Sequence, residues 1–249
     1  NLPIAICNAI LCVAQVPAII FSDMYWNLEH YKKKFVILSL GSGSGGDIMG
    51  LLVAMNKRVN SDIPVSIISL DINSYSLELQ KSVINRFKNI SERKIELIQF
   101  TDRIKGRETF EKYASNAFPD KSIDFLMFSK VGCELHAKNL FPNSNVYYDL
   151  LETFKTKISE TGLVAMIDVT TKADGCEYMP KILNNGVTKF TSANNDFSTI
   201  LPISCCKYEK ECLYPCFYQQ EILVSHCKKI NDISKICDFY IYHKGCLWI

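Results

Sequence analysis

Residues Val36 to Leu40 form a short apolar run that breaks at once into Gly41-Ser42-Gly43-Ser44-Gly45-Gly46. Asp47 then leads into the proline-free apolar segment Ile48 to Met55. This order predicts a strand, a glycine turn and a helix. Glycines reach positive φ and carry no Cβ, so the backbone of the turn lets a ligand approach closely. The following helix offers unpaired N–H groups at its N-terminus, where negative or hydrogen-bond-accepting groups are favoured.

The same alternation continues along the chain. Val65 to Leu70, Ile95 to Phe100, Ile123 to Phe128 and Leu163 to Ile167 are further apolar runs bounded by turn residues, with helices expected at about Ser74 to Phe87 and Asn145 to Ile158. Strands this apolar, alternating with helices, need cover on both faces and imply a parallel sheet. From Lys172 to Tyr214 the chain is rich in Asn, Gly, Pro and Cys, has no strong period and is expected to be loop. Two late strand candidates, Gln220 to Ser225 and Cys237 to Tyr242, are joined by a linker short for a crossover helix, so an antiparallel pair is expected.

At 249 residues the chain fits one large domain with or without an appendage. A net charge of +2, with Lys and Arg scattered among acids, lacks the basic stripe of a dedicated nucleic-acid binder. Lys32-Lys33-Lys34 is the densest basic patch and is expected to guard the first strand against edge pairing rather than to bind phosphate. Asn1 to Ser22 carries no charge. Pro3, Asn8, Gln15 and Pro17 interrupt it and no basic flank precedes it, so a buried helical segment over 1–34 is expected rather than a membrane span or a secretory signal. The eleven cysteines are an odd number in a chain of this size and suit free thiols in the reducing cytoplasm. Seven of them lie at or after residue 205. Cys206, Cys212 and Cys216, with His226 and Cys227, could ligate zinc, although no CxxC pair is present. The alternative, buried free thiols with no metal, is the expectation.

Gly41-x-Gly43-x-x-Gly46 satisfies a dinucleotide fingerprint, and Asp71 ends the second strand where an acid for ribose hydroxyls belongs. Several motifs in order then resemble the class I S-adenosylmethionine-dependent methyltransferases. They are Ser39 to Gly45, Ile68 to Asp71, Phe100-Thr101-Asp102, Ser122 to Phe128 and Ser159 to Val164. The resemblance covers most of residues 35 to 170. It implies a Rossmann-like three-layer sandwich whose mostly parallel seven-stranded sheet carries an antiparallel C-terminal pair, within one domain spanning 35–249. It also implies S-adenosylmethionine as cofactor. Gly41, Gly43 and Gly45 would pass under its methionine part, Asp71 would take the ribose hydroxyls, and Asp102 would meet the adenine amino group. Asp102 and the Thr161-Gly162 turn favour this family over nicotinamide dehydrogenases.

One departure matters. The family usually has an acid where this chain has Ser39, and that acid helps position the cofactor's amino group. A neutral hydroxyl makes a bond about half as strong as a charged one. Asp47 either substitutes for the missing acid or is simply an acid in the first turn of a helix, favourable there from the macrodipole. The non-catalytic alternative, a methyltransferase-like module that binds proteins through its cysteine-rich part, rests on this Ser39.

Methyl transfer from a sulfonium chiefly requires alignment and, for some acceptors, removal of a proton. The acceptor belongs beyond the fourth strand, at Ser129 to His136, where Glu134 and His136 are the candidate proton acceptors. That segment has no Asn/Asp-Pro-Pro-Tyr/Phe signature, and Cys133 follows Gly. Nucleic-acid bases are therefore disfavoured as acceptors against small molecules or proteins.

Overall fold

The computed structural model describes residues 34–58, 62–169 and 177–197, together with the backbone of four short strands nearer the C-terminus. The N-terminal segment expected over 1–34 (Lys34 apart), about half of the stretch expected to be loop, and the side chains of the C-terminal cysteines lie outside the described residues.

Strand β1 (Phe35–Leu40) enters helix α1 (Gly46–Arg58) through the glycine turn, and β2 (Val65–Asp71) leads to α2 (Ser74–Ser91). Then come β3 (Ile95–Thr101), α3 (Arg107–Ala117), β4 (Ile123–Ser129), α4 (Gly132–Ala137), α5 (Val146–Phe154), β5 (Ile158–Val169) and α6 (Met179–Ala193). The five strands pair in parallel in the order β3-β2-β1-β4-β5. The order reverses between β1 and β4, and a crevice opens outside the carboxyl ends of the strands at such a reversal.

Successive strand residues face opposite layers, so each strand feeds two cores. Ile37, Ile67, Phe125 and Met127 pack with Ile48, Leu52 and Met55 of α1 and Ile84 of α2. Leu38, Leu40, Leu126 and Phe128 pack on the other face with Phe110 of α3, Tyr147, Leu150 and Phe154 of α5, and Leu183 and Phe190 of α6. The result is a Rossmann-like arrangement of helices on both faces of a parallel sheet. Asp124 is buried at the foot of β4, where its carboxylate accepts from Val36 N at 2.9 Å and Ser159 Oγ at 2.9 Å. A buried acid is tolerated there because it has donors on both neighbouring strands.

The parallel sheet thus has five strands, and the expectation of a seven-stranded sheet closed by a pair at Gln220–Ser225 and Cys237–Tyr242 does not hold in that form. Strand β6 is Gln219–Glu221, while β7 (His226–Cys227) and β8 (Ile236–Cys237) pair with each other apart from the main sheet. Strand β9 (Lys244–Trp248) runs antiparallel to both β5 and β6. Cys237, expected to open the last strand of the sheet, belongs instead to the separate ladder.

The helix expected to reach Ile158 ends at Phe154, because β5 already begins at Ile158 beside Ile123. Residues 159–162, expected as the turn into the strand, form an irregularity within β5, since the next partners are Phe125 and Leu163. A Cβ on Gly162 would come within 2.8 Å of Ile123 O, so this close approach admits only glycine.

Met179–Ala193 was expected to be loop and is a helix with Pro180 in its first turn. Its Gly186 lies against Asn145, the N-cap of α5. Asn145 Oδ1 accepts from Tyr147 N and Tyr148 N, and its Nδ2 donates to Ile182 O at 2.7 Å. A Cβ on Gly186 would stand 2.3 Å from Asn145 Oδ1. Alanine in a helix interior gains up to ~1 kcal/mol over glycine, but here it displaces a cap worth about 1 kcal/mol and overpacks the contact by about 1–3 kcal/mol. Gly186→Ala is therefore expected to destabilise the protein by about 1–3 kcal/mol in urea denaturation. A stabilised variant would contradict this packing.

Candidate functional site

The glycine turn is pinned to β2 before any ligand is considered. Gly41 N and Ser42 N both donate to Leu70 O, at 2.7 and 3.1 Å, and Gly45 N donates to Ser42 O at 2.9 Å. Gly41, Gly43 and Gly45 have φ of 67°, 51° and 76°, the left-handed region that side chains resist. Their surroundings differ. A Cβ on Gly41 would stand 2.1 Å from Val131 Cγ2, and one on Gly45 would stand 2.5 Å from Gln80 Cγ, whereas one on Gly43 would meet no atom within 4 Å. Two glycines are thus required by packing, and the third leaves the apex of the turn open.

Asp71 closes the other side of that apex. Its Oδ2 accepts from Gly43 N at 2.7 Å and its Oδ1 from Asn73 N at 2.8 Å. A carboxylate offers about four acceptor positions, so each oxygen keeps capacity for a further donor such as a hydroxyl.

Asp47 reaches back from the first turn of α1 to the end of β1. Its Oδ2 accepts from Ser39 Oγ at 3.2 Å and its Oδ1 from Ile48 N at 2.8 Å, with both side chains buried. Burial pushes its pKa up to about 6, and the hydrogen bonds from Ile48 N and Ser39 only partly offset that effect. None of these partners carries positive charge.

Asp102 follows β3, and its backbone N donates to Asp71 O at 3.0 Å, tying the two strand ends together. Its Oδ2 accepts from Lys112 Nζ at 2.7 Å and Tyr113 Oη at 2.9 Å, and its Oδ1 from Arg103 N at 2.8 Å. These bonds, led by that from Lys112, hold its pKa down at about 2. The carboxylate remains charged throughout the physiological range.

After β4 the chain turns sharply. Lys130 has φ of 58°, its N donates to Ile167 O at 2.6 Å, and Val131 then packs on Gly41. Glu134 is exposed and ion-paired with Lys138 at 3.6 Å on the outside of α4, a type of pair worth little. His136 is half-buried in the last turn of α4. No hydrogen bond brings either residue to the glycine turn, whereas Gly43 and Asp71, and separately Ser39 and Asp47, are brought together.

Three residues outside the sequence-based set also occupy this end of the sheet. Asp168, buried near the end of β5, accepts from Tyr147 Oη at 2.7 Å and from Cys133 N at 2.9 Å. Burial beside this carboxylate pushes the Tyr147 hydroxyl and the Cys133 thiol well above their ordinary pKa ranges, so neither is a proton acceptor near neutral pH. Asp168 carried the signal that identified Asp71, an acid near the end of an apolar strand. Among the described residues no cluster of His, Cys, Asp and Glu is arranged to hold a metal ion, and no helix is long and apolar enough to cross a membrane.

No protein-family profile matches the chain, and no curated protein does. Similar solved structures include YcgJ from Bacillus subtilis, at 15% identity over 67% of this chain and 55% of that one, with a TM-score of 0.34. Another is geranyl diphosphate C-methyltransferase from Streptomyces coelicolor A3(2), at 8% identity over 68% and 56%, with a TM-score of 0.39. A third is the DszA carbon methyltransferase, at 12% identity over 93% and 51%, with a TM-score of 0.43. The chain spans about half the length of these structures.

Proposed function

We propose that this chain binds S-adenosylmethionine at the glycine turn and transfers its methyl group to an acceptor, a small molecule or a protein in preference to nucleic acid. The observation that carries the reading is the Asp47–Ser39 pair. The carboxylate that the motif lacks at the end of β1 is delivered to that point from α1, buried and without a cation. A ligand ammonium would supply the missing charge. The open apex at Gly43 and the remaining acceptor capacity of Asp71 fit the rest of such a ligand.

In this reading Gly41, Gly43 and Gly45 shape the floor, Asp71 takes the ribose hydroxyls, and Asp102 accepts from the adenine amino group beside its bond to Lys112. Asp47, steadied by Ser39, receives the amino group of the methionine part. The cofactor supplies an activated methyl group. The protein holds it in line with an acceptor beyond β4. His136 and Glu134 stay the candidate proton acceptors, His136 the better placed because Glu134 faces solvent. We further read β9 and β6 as completing a seven-stranded sheet with an antiparallel C-terminal pair, within one domain over 35–249 preceded by a helical segment. The cytoplasm is the proposed compartment. With Asp47 at the Ser39 position, the case for a non-catalytic module loses its main support.

Calorimetric titration with S-adenosylhomocysteine tests the reading. Micromolar, one-to-one binding is expected. A folded protein that binds NADH in its place, or binds neither, would overturn it.

A further inference from the structure

The glycine turn is held from behind by a pair of amides, one fully buried and one half-buried, that the cofactor assignment does not use. Gln80 of α2 is fully buried, and its Nε2 donates to Ser42 Oγ at 3.1 Å. Gln99 of β3 donates from its own Nε2 to Gln80 Oε1 at 2.8 Å and to Leu77 O at 2.8 Å. The direction of this relay is fixed by chemistry. Leu77 O only accepts, so Gln99 must turn its nitrogen towards α2. Gln80 then presents its oxygen to Gln99 and its nitrogen to Ser42. An amide in this position with its partners removed would be left buried and unpaired, which is costly. The relay therefore has one low-energy arrangement.

Ser42 is the residue this arrangement fixes. Its N–H is taken by Leu70 O, its carbonyl by Gly45 N–H and its hydroxyl by Gln80. Gly43, next in the chain, has only the bond to Asp71 on its N–H and open space beyond. The same Gln80 side chain fills the space that a Cβ on Gly45 would need. One side chain from α2 thus sets both the flank and the rear of the turn, and it connects them through Gln99 to the edge strand.

We propose that Gln80, oriented by Gln99, is a positioning residue that holds the glycine turn in its ligand-accepting shape. Its effect reaches the cofactor through Ser42 and Gly43, and it makes no contact with the cofactor itself. A turn already fixed by such contacts loses less freedom when a ligand binds. This inference rests on the cofactor reading above.

The test is a double-mutant cycle read in S-adenosylhomocysteine affinity, with thermal unfolding of every variant measured alongside. Gln80→Met keeps the length of the side chain and removes both hydrogen-bonding ends. Ser42→Ala removes the acceptor on the turn and is mild enough to fold if Gln80→Met does not. Each is expected to weaken binding about tenfold, with the double variant no weaker than the worse single variant, since coupled residues are non-additive. Melting temperatures that fall while affinity stays at the wild-type value would reduce Gln80 to core packing and overturn the proposal. Fully additive losses would overturn the Gln80–Ser42 link. If the wild-type protein binds no S-adenosylhomocysteine, the cofactor reading fails first and this inference falls with it. Wild-type binding with unchanged variants removes this inference alone.

Discussion

Asp71→Ala is expected to lower S-adenosylhomocysteine affinity at least 100-fold. In the proposed complex the Asp71 carboxylate accepts from two ribose hydroxyls while still holding Gly43 N and Asn73 N. Hydrogen bonds to a charged partner are worth about 1.5–3 kcal/mol each, so losing two exceeds the 2.7 kcal/mol or so that corresponds to 100-fold. The same substitution leaves Gly43 N without its acceptor at the apex of the turn, so the surface that meets the ligand also loosens. Asp71→Asn keeps one acceptor oxygen and the side-chain length, and it should recover about a tenth of the wild-type affinity. The stability cost is modest, about 1–2 kcal/mol for two backbone bonds lost near the surface. Folded Asp71→Ala protein that binds as tightly as wild type would remove Asp71 from the site and the ribose assignment with it.

The parts of this molecule that were legible in the sequence are those set by neighbours along the chain. Val36 to Leu40 is apolar at every position but Ser39, and the glycines follow at once, so β1, the turn and the start of α1 needed no tertiary information. Asp71 was legible for the same reason, as an acid ending an apolar run. What was missed depends on contacts distant in sequence. Helix α6 carries Asn184, Asn185 and Gly186 at its centre, poor helix formers that suggest a loop. It is helical because Ile182, Leu183, Val187 and Phe190 are buried against the sheet and α5, a case of packing overriding propensity. Helix α3 did leave a trace, with Phe110, Tyr113 and Ala114 at helical spacing, although the polar residues between them obscured it.

The site divides along the same line. The glycine turn and its acids are local signals, but Asp47 was ambiguous between a ligand and a helix-terminal acid. Only folding brings it within 3.2 Å of Ser39, eight residues earlier. Gln80 gave no such local signal of a role, and Asp168 shared with Asp71 only its place near the end of an apolar strand. Gln80 occupies a position in an ordinary amphipathic helix, and its significance is the glycine packed against it. Asp168 becomes meaningful once Tyr147 and the start of α4 are seen to converge on its carboxylate.

Asp47→Asn should make the protein more stable and a poorer binder at once. The folded-state pKa of Asp47 lies near 6 against an ordinary 3.8, because burial penalises its charge. The folded state therefore holds this proton more tightly than the unfolded chain does. The stabilising contribution is present below about pH 4 and is lost as pH rises through about 6, so above that the ionised carboxylate weighs against folding. Two units correspond to at most about 3 kcal/mol, and at pH 7.5 the asparagine variant should gain about 1–2 kcal/mol in urea unfolding. That gain should shrink as the pH is lowered towards 4. Cofactor affinity should move the opposite way. An ammonium bound to a carboxylate loses about 1.5–3 kcal/mol when the charge is removed, so S-adenosylhomocysteine should bind about 10- to 100-fold more weakly to Asp47→Asn. Wild-type affinity should likewise decline as pH falls below about 6, and the variant should show no such decline. A variant that is destabilised and binds normally would mark Asp47 as a helix-terminal acid. Stability gained together with affinity lost is the signature of a buried charge kept for its ligand, because a group retained for folding alone would not penalise folding at working pH.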